Sequence, residues 1–174
     1  MASGALRSNV LQFLSNRTVK DGESVEYGWF IFQTVVTNGQ IDLQTLDFQA
    51  MASFTRDFRA VEQIEAEQSL MLAQQRVEPG CCALWHAALI SRSYAPGTPL
   101  AFMHRLDDLE ASKSGWYIGV ADDPLDVSDP ANLHFQSLYE LTIHDRRFAP
   151  YWLLPVGFLV EFDGDRPAIT NRST

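Results

Sequence analysis

Tyr27-Gly-Trp-Phe-Ile-Phe-Gln-Thr-Val-Val36 concentrates aromatic and β-branched side chains, which suit a pleated, half-buried surface. Thr37 can extend the run by one residue. Asn38-Gly39 follows, a tight-turn pair because both residues accept positive φ. Gln40-Ile-Asp-Leu-Gln-Thr-Leu-Asp-Phe48 then alternates imperfectly, with apolar residues at 41, 43, 46 and 48. Together these stretches predict a β-hairpin over residues 28–47.

The period changes at Ser53. Phe54, Phe58, Val61, Ile64, Met71 and Leu72 fall on one helical face, and Glu62, Glu65, Glu67 and Gln68 supply the polar face. No Gly or Pro interrupts this stretch until Glu78-Pro79-Gly80. It predicts one long amphipathic helix from Ser53 to Arg76. On the other side of the hairpin, the apolar positions of residues 1–15 are broken by Asn9, Gln12 and Ser15, the pattern of an amphipathic lead-in helix. It has neither the basic start nor the unbroken apolar core of a signal peptide.

Gly80 opens a region of different texture. Cys81 to Arg92 is expected to be a buried strand, Leu100 to Arg105 a second and Trp116 to Val120 a third. Tyr94-Ala-Pro-Gly-Thr-Pro99 is a turn, and Asp122 to Pro130 is an acidic loop with two prolines. Leu133 to His144 is expected to be helical, Arg146 to Leu154 a short helix or turn, and Phe158 to Phe162 a last strand. The polar tail from Thr170 is expected to fray. Helices and strands are grouped, not strictly alternating. The expected class is therefore α+β, with an antiparallel or mixed sheet and the long amphipathic helix packed on it. Residues 1–79 form an N-terminal hairpin and long-helix extension, residues 80–174 an α+β domain, and the two are expected to pack as one unit.

The 174 residues are 46% hydrophobic and 20% charged, an ordinary globular composition that excludes a disordered, collagen-like or disulfide-dense chain. The net charge of −9 argues against nucleic acid and anionic membrane as partners and for something basic. No window approaches the ~18 apolar residues of a membrane span. Cys81 and Cys82 are adjacent and have no third cysteine to pair with, so two thiols in a reducing cytoplasm are expected, one on each side of a strand.

Catalytic patterns are weak. His86, His104, His134 and His144 lack the i, i+4 spacing of a helical metal site. Glu110-Ala-Ser-Lys113 has two spacers where a metal-dependent nuclease sets one. Asp122, Asp123, Asp126 and Asp129 lack the central glycine of a calcium loop, and Pro124 and Pro130 break the register. There is no Gly-x-Ser-x-Gly and no phosphate-cradling glycine-rich loop. No enzyme activity, cofactor or metal is expected.

Charge is more informative. From Leu106 to Pro130 there are seven acids and one base, Lys113, with Trp116 and Tyr117 in the middle. A charge run is most simply a solvated face. It also suits recognition of a basic protein, since long-range attraction speeds encounter. The expected contact residues are Asp107, Asp108, Glu110, Asp122, Asp123 and Asp126, with Trp116 or Tyr117 as anchor.

Within residues 80–169 a series of short motifs occurs in order. It runs Gly80-Cys81, Met103-His-Arg105, Ser114-Gly-Trp-Tyr-Ile-Gly119, Asp129-Pro-Ala-Asn132, Leu138-Tyr139 and Leu153-Leu-Pro-Val-Gly157. The series resembles the bacterial immunity-protein-thirty-three-like domain. Lys113 stands where that family usually has an acid, and Asp122 or Asp123 takes the acidic position after Gly119. The resemblance implies a non-enzymatic protein that binds and blocks a cognate toxin. The extension at residues 1–79 adds a likeness to immunity proteins of type VI secretion effectors. A nuclease toxin is favoured, because such enzymes carry basic clefts. The rival expectation is a scaffold or adaptor associated with a secretion system, whose long helix drives self-association as a homodimer or docks on a secretion component.

Overall fold

The computed structural model describes residues 5–106, 113–163 and 166–172. Helix α1 (Ala5–Leu14) buries Leu6, Val10 and Leu14, one residue per turn. Strand β1 (Ser24–Tyr27) leads into β2 (Phe30–Thr37) and β3 (Gln40–Leu46), which pair antiparallel from Phe32–Thr45 to Thr37–Gln40. Asn38 and Gly39 both take positive φ, so the expected hairpin forms about the expected turn. Strand β4 (Phe54–Thr55) completes a four-stranded antiparallel sheet in the order β1-β2-β3-β4.

Helix α2 spans Arg59–Gln75. It is shorter than the sequence predicts because Leu46 pairs with Phe54 and Thr45 with Thr55, which draws those residues into the sheet. Phe58, just before the helix, stacks on Phe32 with ring centres 5.9 Å apart. The buried Gln68 donates its amide to the Ala149 carbonyl at 2.8 Å, and Glu67 pairs with Arg146 at 2.8 Å. The helix thus joins the first sheet to the second half of the chain.

The second sheet holds β5 (Ala87–Ser91), β6 (Ala101–Arg105), β7 (Lys113–Val120), β8 (Leu133–Ser137), β9 (Phe158–Glu161) and β10 (Ala168–Asn171). Their order is β10-β9-β6-β7-β5-β8, and β5 and β7 run parallel while the other pairs are antiparallel. Helix α3 (Leu138–His144) and a 3-10 turn at Arg146–Tyr151 lie between β8 and β9. The α+β class and the mixed sheet are as expected.

Three local expectations change. Leu133 to His144 is not one helix: Leu133–Ser137 pairs with β5, and the helix starts only after Ser137. Ser137 caps it, accepting from the Glu140 N–H while the Glu140 carboxylate accepts from the Ser137 N–H. Cys81 to His86 is not strand either. Its backbone groups go elsewhere: the Cys81 carbonyl accepts from Arg105 and the Leu84 N–H donates to the Trp29 carbonyl. Finally, Thr170 and Asn171 do not fray, because they pair with Leu159 and Phe158.

One hydrophobic core runs from Leu6 and Phe32 through Val61 and Ile64 to Trp116, Phe148 and Trp152. Trp116 donates its indole N–H to the Trp152 carbonyl at 3.1 Å, and Trp152 donates its own to Thr142 at 3.0 Å. These buried bonds fix one face of the second sheet.

Candidate partner-binding surface

Strand β7 sends neighbouring residues to opposite faces of the sheet. Ser114, Trp116 and Ile118 are buried, while Lys113 and Tyr117 are half-buried on the other side. Trp116 is only 1% exposed, so it has no surface to offer a partner. Of the two aromatics expected as an anchor, Tyr117 alone reaches the outer face. Burial and the nearby Asp123 carboxylate hold its phenol above the usual range, against a pull from Ser91.

The acidic loop follows β7 directly. Asp122 is exposed in a left-handed conformation with φ 55°. Asp123 turns inward and accepts from the hydroxyls of Ser91 at 2.5 Å and Ser93 at 2.6 Å, and from the Leu125 N–H at 2.9 Å. Burial opposes its ionisation, but these donors prevail and keep the carboxyl below its usual range. Asp126 accepts from the hydroxyl and N–H of Ser128, which lower its pKa, and Asp129 accepts from the Ala131 N–H. The loop is therefore tied into place by its own aspartates. Asp123 is the tether, while Asp122, Asp126 and Asp129 are exposed. Asp107, Asp108 and Glu110 lie outside the described residues.

The outer face beside this loop was not foreseen. A single row crosses the sheet, Phe135 beside Leu89, Leu89 beside Tyr117, Tyr117 beside His104 and His104 beside Leu159. Phe102 lies over Gly119, where an added Cβ would sit 2.8 Å from its ring. Gly119 is thus what allows Phe102 to lie across β7, its ring centre 5.7 Å from that of Tyr117. Leu100 and Leu106 continue the outward positions of β6 at both ends, and are 46% and 43% exposed. The signal was in the sequence: Leu100-Ala-Phe-Met103 and Trp116-Tyr-Ile-Gly-Val120 are apolar at successive positions, hence on both faces.

Other features carry less chemistry. A cleft of about 430 Å³ lies among Trp29, Gln68, Leu72 and Cys82, and Glu65 on its wall has its pKa raised by burial and by Glu62. Cys81 is exposed and Cys82 buried, and no disulfide joins them. Among the described residues no three His, Cys, Asp or Glu side chains gather as a metal site, and no helix is long and apolar enough to cross a membrane.

Comparison with protein-family models, curated proteins and solved structures returns no match. The motif series in residues 80–169 therefore stands on its own residues. Of these, Trp116 serves the core, while Asp129 and Pro130 open a 3-10 turn.

Proposed function

We propose that this chain is a non-enzymatic immunity protein of the cytoplasm, which binds a cognate antibacterial toxin and blocks it. The toxin class we favour is a nuclease effector delivered by type VI secretion. The observation that carries the proposal is the acidic loop at Asp122–Asp129, braced by the Asp123 bonds to Ser91 and Ser93. A braced loop presents its charges without the entropy cost of ordering a mobile one. Exposed carboxylates there match the basic cleft of a nuclease, and occupation of that cleft would inhibit without chemistry. The motif series that resembles immunity proteins points the same way.

The test is an affinity pull-down of the tagged chain from its own cells, read by mass spectrometry. The expected result is one stoichiometric basic protein that kills cells lacking this chain and spares cells expressing it. Recovery of only further copies of the chain or of secretion components would replace immunity with the scaffold role.

A further inference from the structure

We infer that the outer face of the six-stranded sheet is the apolar centre of an interface with a basic protein, and that the acidic loop is its rim. This inference rests on the partner-binding role proposed above. It adds the surface and the manner of docking.

A sheet with one face on the core and one in water normally carries polar residues outward. Here the outward positions include Leu89, Leu100, Phe102, Leu106, Tyr117 and Phe135, with His104 among them and Lys113 and Glu161 at the edges. Phe135 is 53% exposed on the edge strand β8, with the Lys113 ammonium 4.8 Å from its ring centre. Four strands, β8 to β6, carry these residues and span about 14 Å at about 4.8 Å per spacing, enough for the apolar centre of a small interface. Leu100, Leu106 and Phe135 are exposed and Leu89, Phe102 and Tyr117 half-buried between them, and apolar surface grouped in this way marks an interaction site.

Charge selects the occupant. The Asp123 tether fastens the acidic loop to Ser91 on β5, at the margin of the face, and Asp123 acts electrostatically on Tyr117 within it. A second copy, also at −9, would bring another acidic loop to the same margin and be repelled. A basic protein with apolar residues at the centre of its own patch satisfies both features. Tyr117 and Phe135 then act as anchors and the carboxylates steer approach.

The experiment places the photoreactive amino acid p-benzoylphenylalanine at Phe102, Leu106 or Phe135 in the full chain, expressed in its own cells. Controls carry it at Gln40 on the other sheet and at Leu70, an exposed apolar residue of α2. The expected result is adducts from the three sheet positions to one protein of isoelectric point above about 9, which the unmodified chain also recovers, and none from the controls. In parallel, Phe135→Glu should cut recovery of that protein at least tenfold, with the melting temperature of the free chain held within about 2 °C. Recovery of the partner with adducts only from Leu70 or Gln40 would overturn the sheet-face interface and leave the immunity role standing. Adducts at twice the mass of the chain would overturn it in favour of a second copy. Recovery of no partner by the unmodified chain would overturn the immunity role and this inference together.

Discussion

Asp145 shows how a buried carboxylate is kept charged. It is 6% exposed and accepts from Nε and Nη2 of Arg147 at 2.8 and 2.6 Å, from the Tyr94 hydroxyl at 2.9 Å and from the Gly97 N–H at 3.1 Å. The Arg147 backbone N–H adds a fifth bond at 3.2 Å; burial raises the pKa, but these donors outweigh burial and leave it below the usual range. The folded pKa therefore lies below the unfolded value of ~3.9. Stability from this group is complete above that value and disappears as pH falls through the folded pKa. Asp145→Asn should cost about 2 kcal/mol at pH 7, below the ~3–5 of a fully buried pair because Arg147 is 36% exposed. Urea unfolding at pH 7 and pH 2.5 should show the gap between variant and parent narrowing in acid. An unchanged gap would mean the carboxylate contributes nothing as a charge. Tyr94 has the opposite sign: burial, then the bond to Asp145, raises its pKa. Its share is complete below pH ~10 and is lost above, where unfolded tyrosine ionises and the native one does not.

Among the elements, α2 ends in a way that a substitution can test. Its C-cap is Arg76 in the left-handed conformation, φ 56° and ψ 45°, donating its N–H to the Ala73 and Leu72 carbonyls. A side chain there costs roughly 1 kcal/mol that glycine avoids. Arg76→Gly should therefore raise the urea-derived stability by about 0.5–1 kcal/mol, offset in part by the greater freedom of unfolded glycine. A loss of stability would show that the Arg76 side chain supports the helix by contacts that outweigh the strain. The hairpin, α1 and the body of α2 were legible in the sequence because each is a local pattern, a turn pair or a helical period. The boundary inside Leu133–His144 is equally local, although helical periodicity alone does not reveal it. Ser137-Leu-Tyr-Glu140 is a capping-box spacing, and it separates strand from helix. Strand β10 had no local signal, since Ala168–Asn171 is strand only because β9 offers it an edge. The surface divides in the same way. The aspartates were visible as a charge run, but which of them tethers the loop depends on Ser91 and Ser93, some thirty residues away. Whether an apolar strand is covered on one face or two is likewise set by the fold.

At the scale of the whole molecule, the proposed binding role turns on whether net charge or a shaped acidic rim would draw the proposed partner. Reversing Asp122 and Asp123 together would confuse the two, because Asp123 holds Ser91 and Ser93 and its loss would loosen the loop. The cleaner variant is Asp122→Asn, Asp126→Asn and Asp129→Asn combined. Each amide keeps an oxygen to accept the bonds now made to Ser128 and Ala131, and asparagine tolerates the left-handed conformation at position 122. Net charge falls from −9 to −6 with the tether intact. If the proposed partner is a basic toxin and the rim steers it, affinity should drop about tenfold at 50 mM salt, mainly through slower association. The deficit should shrink towards twofold at about 0.5 M salt, where screening acts within a few ångströms, and the slope of log Kd against log salt should flatten. Surface plasmon resonance at four salt concentrations with the recovered toxin measures all three quantities. A variant that matches the parent at every salt concentration would remove the acidic loop from recognition and leave the apolar sheet face to account for binding alone.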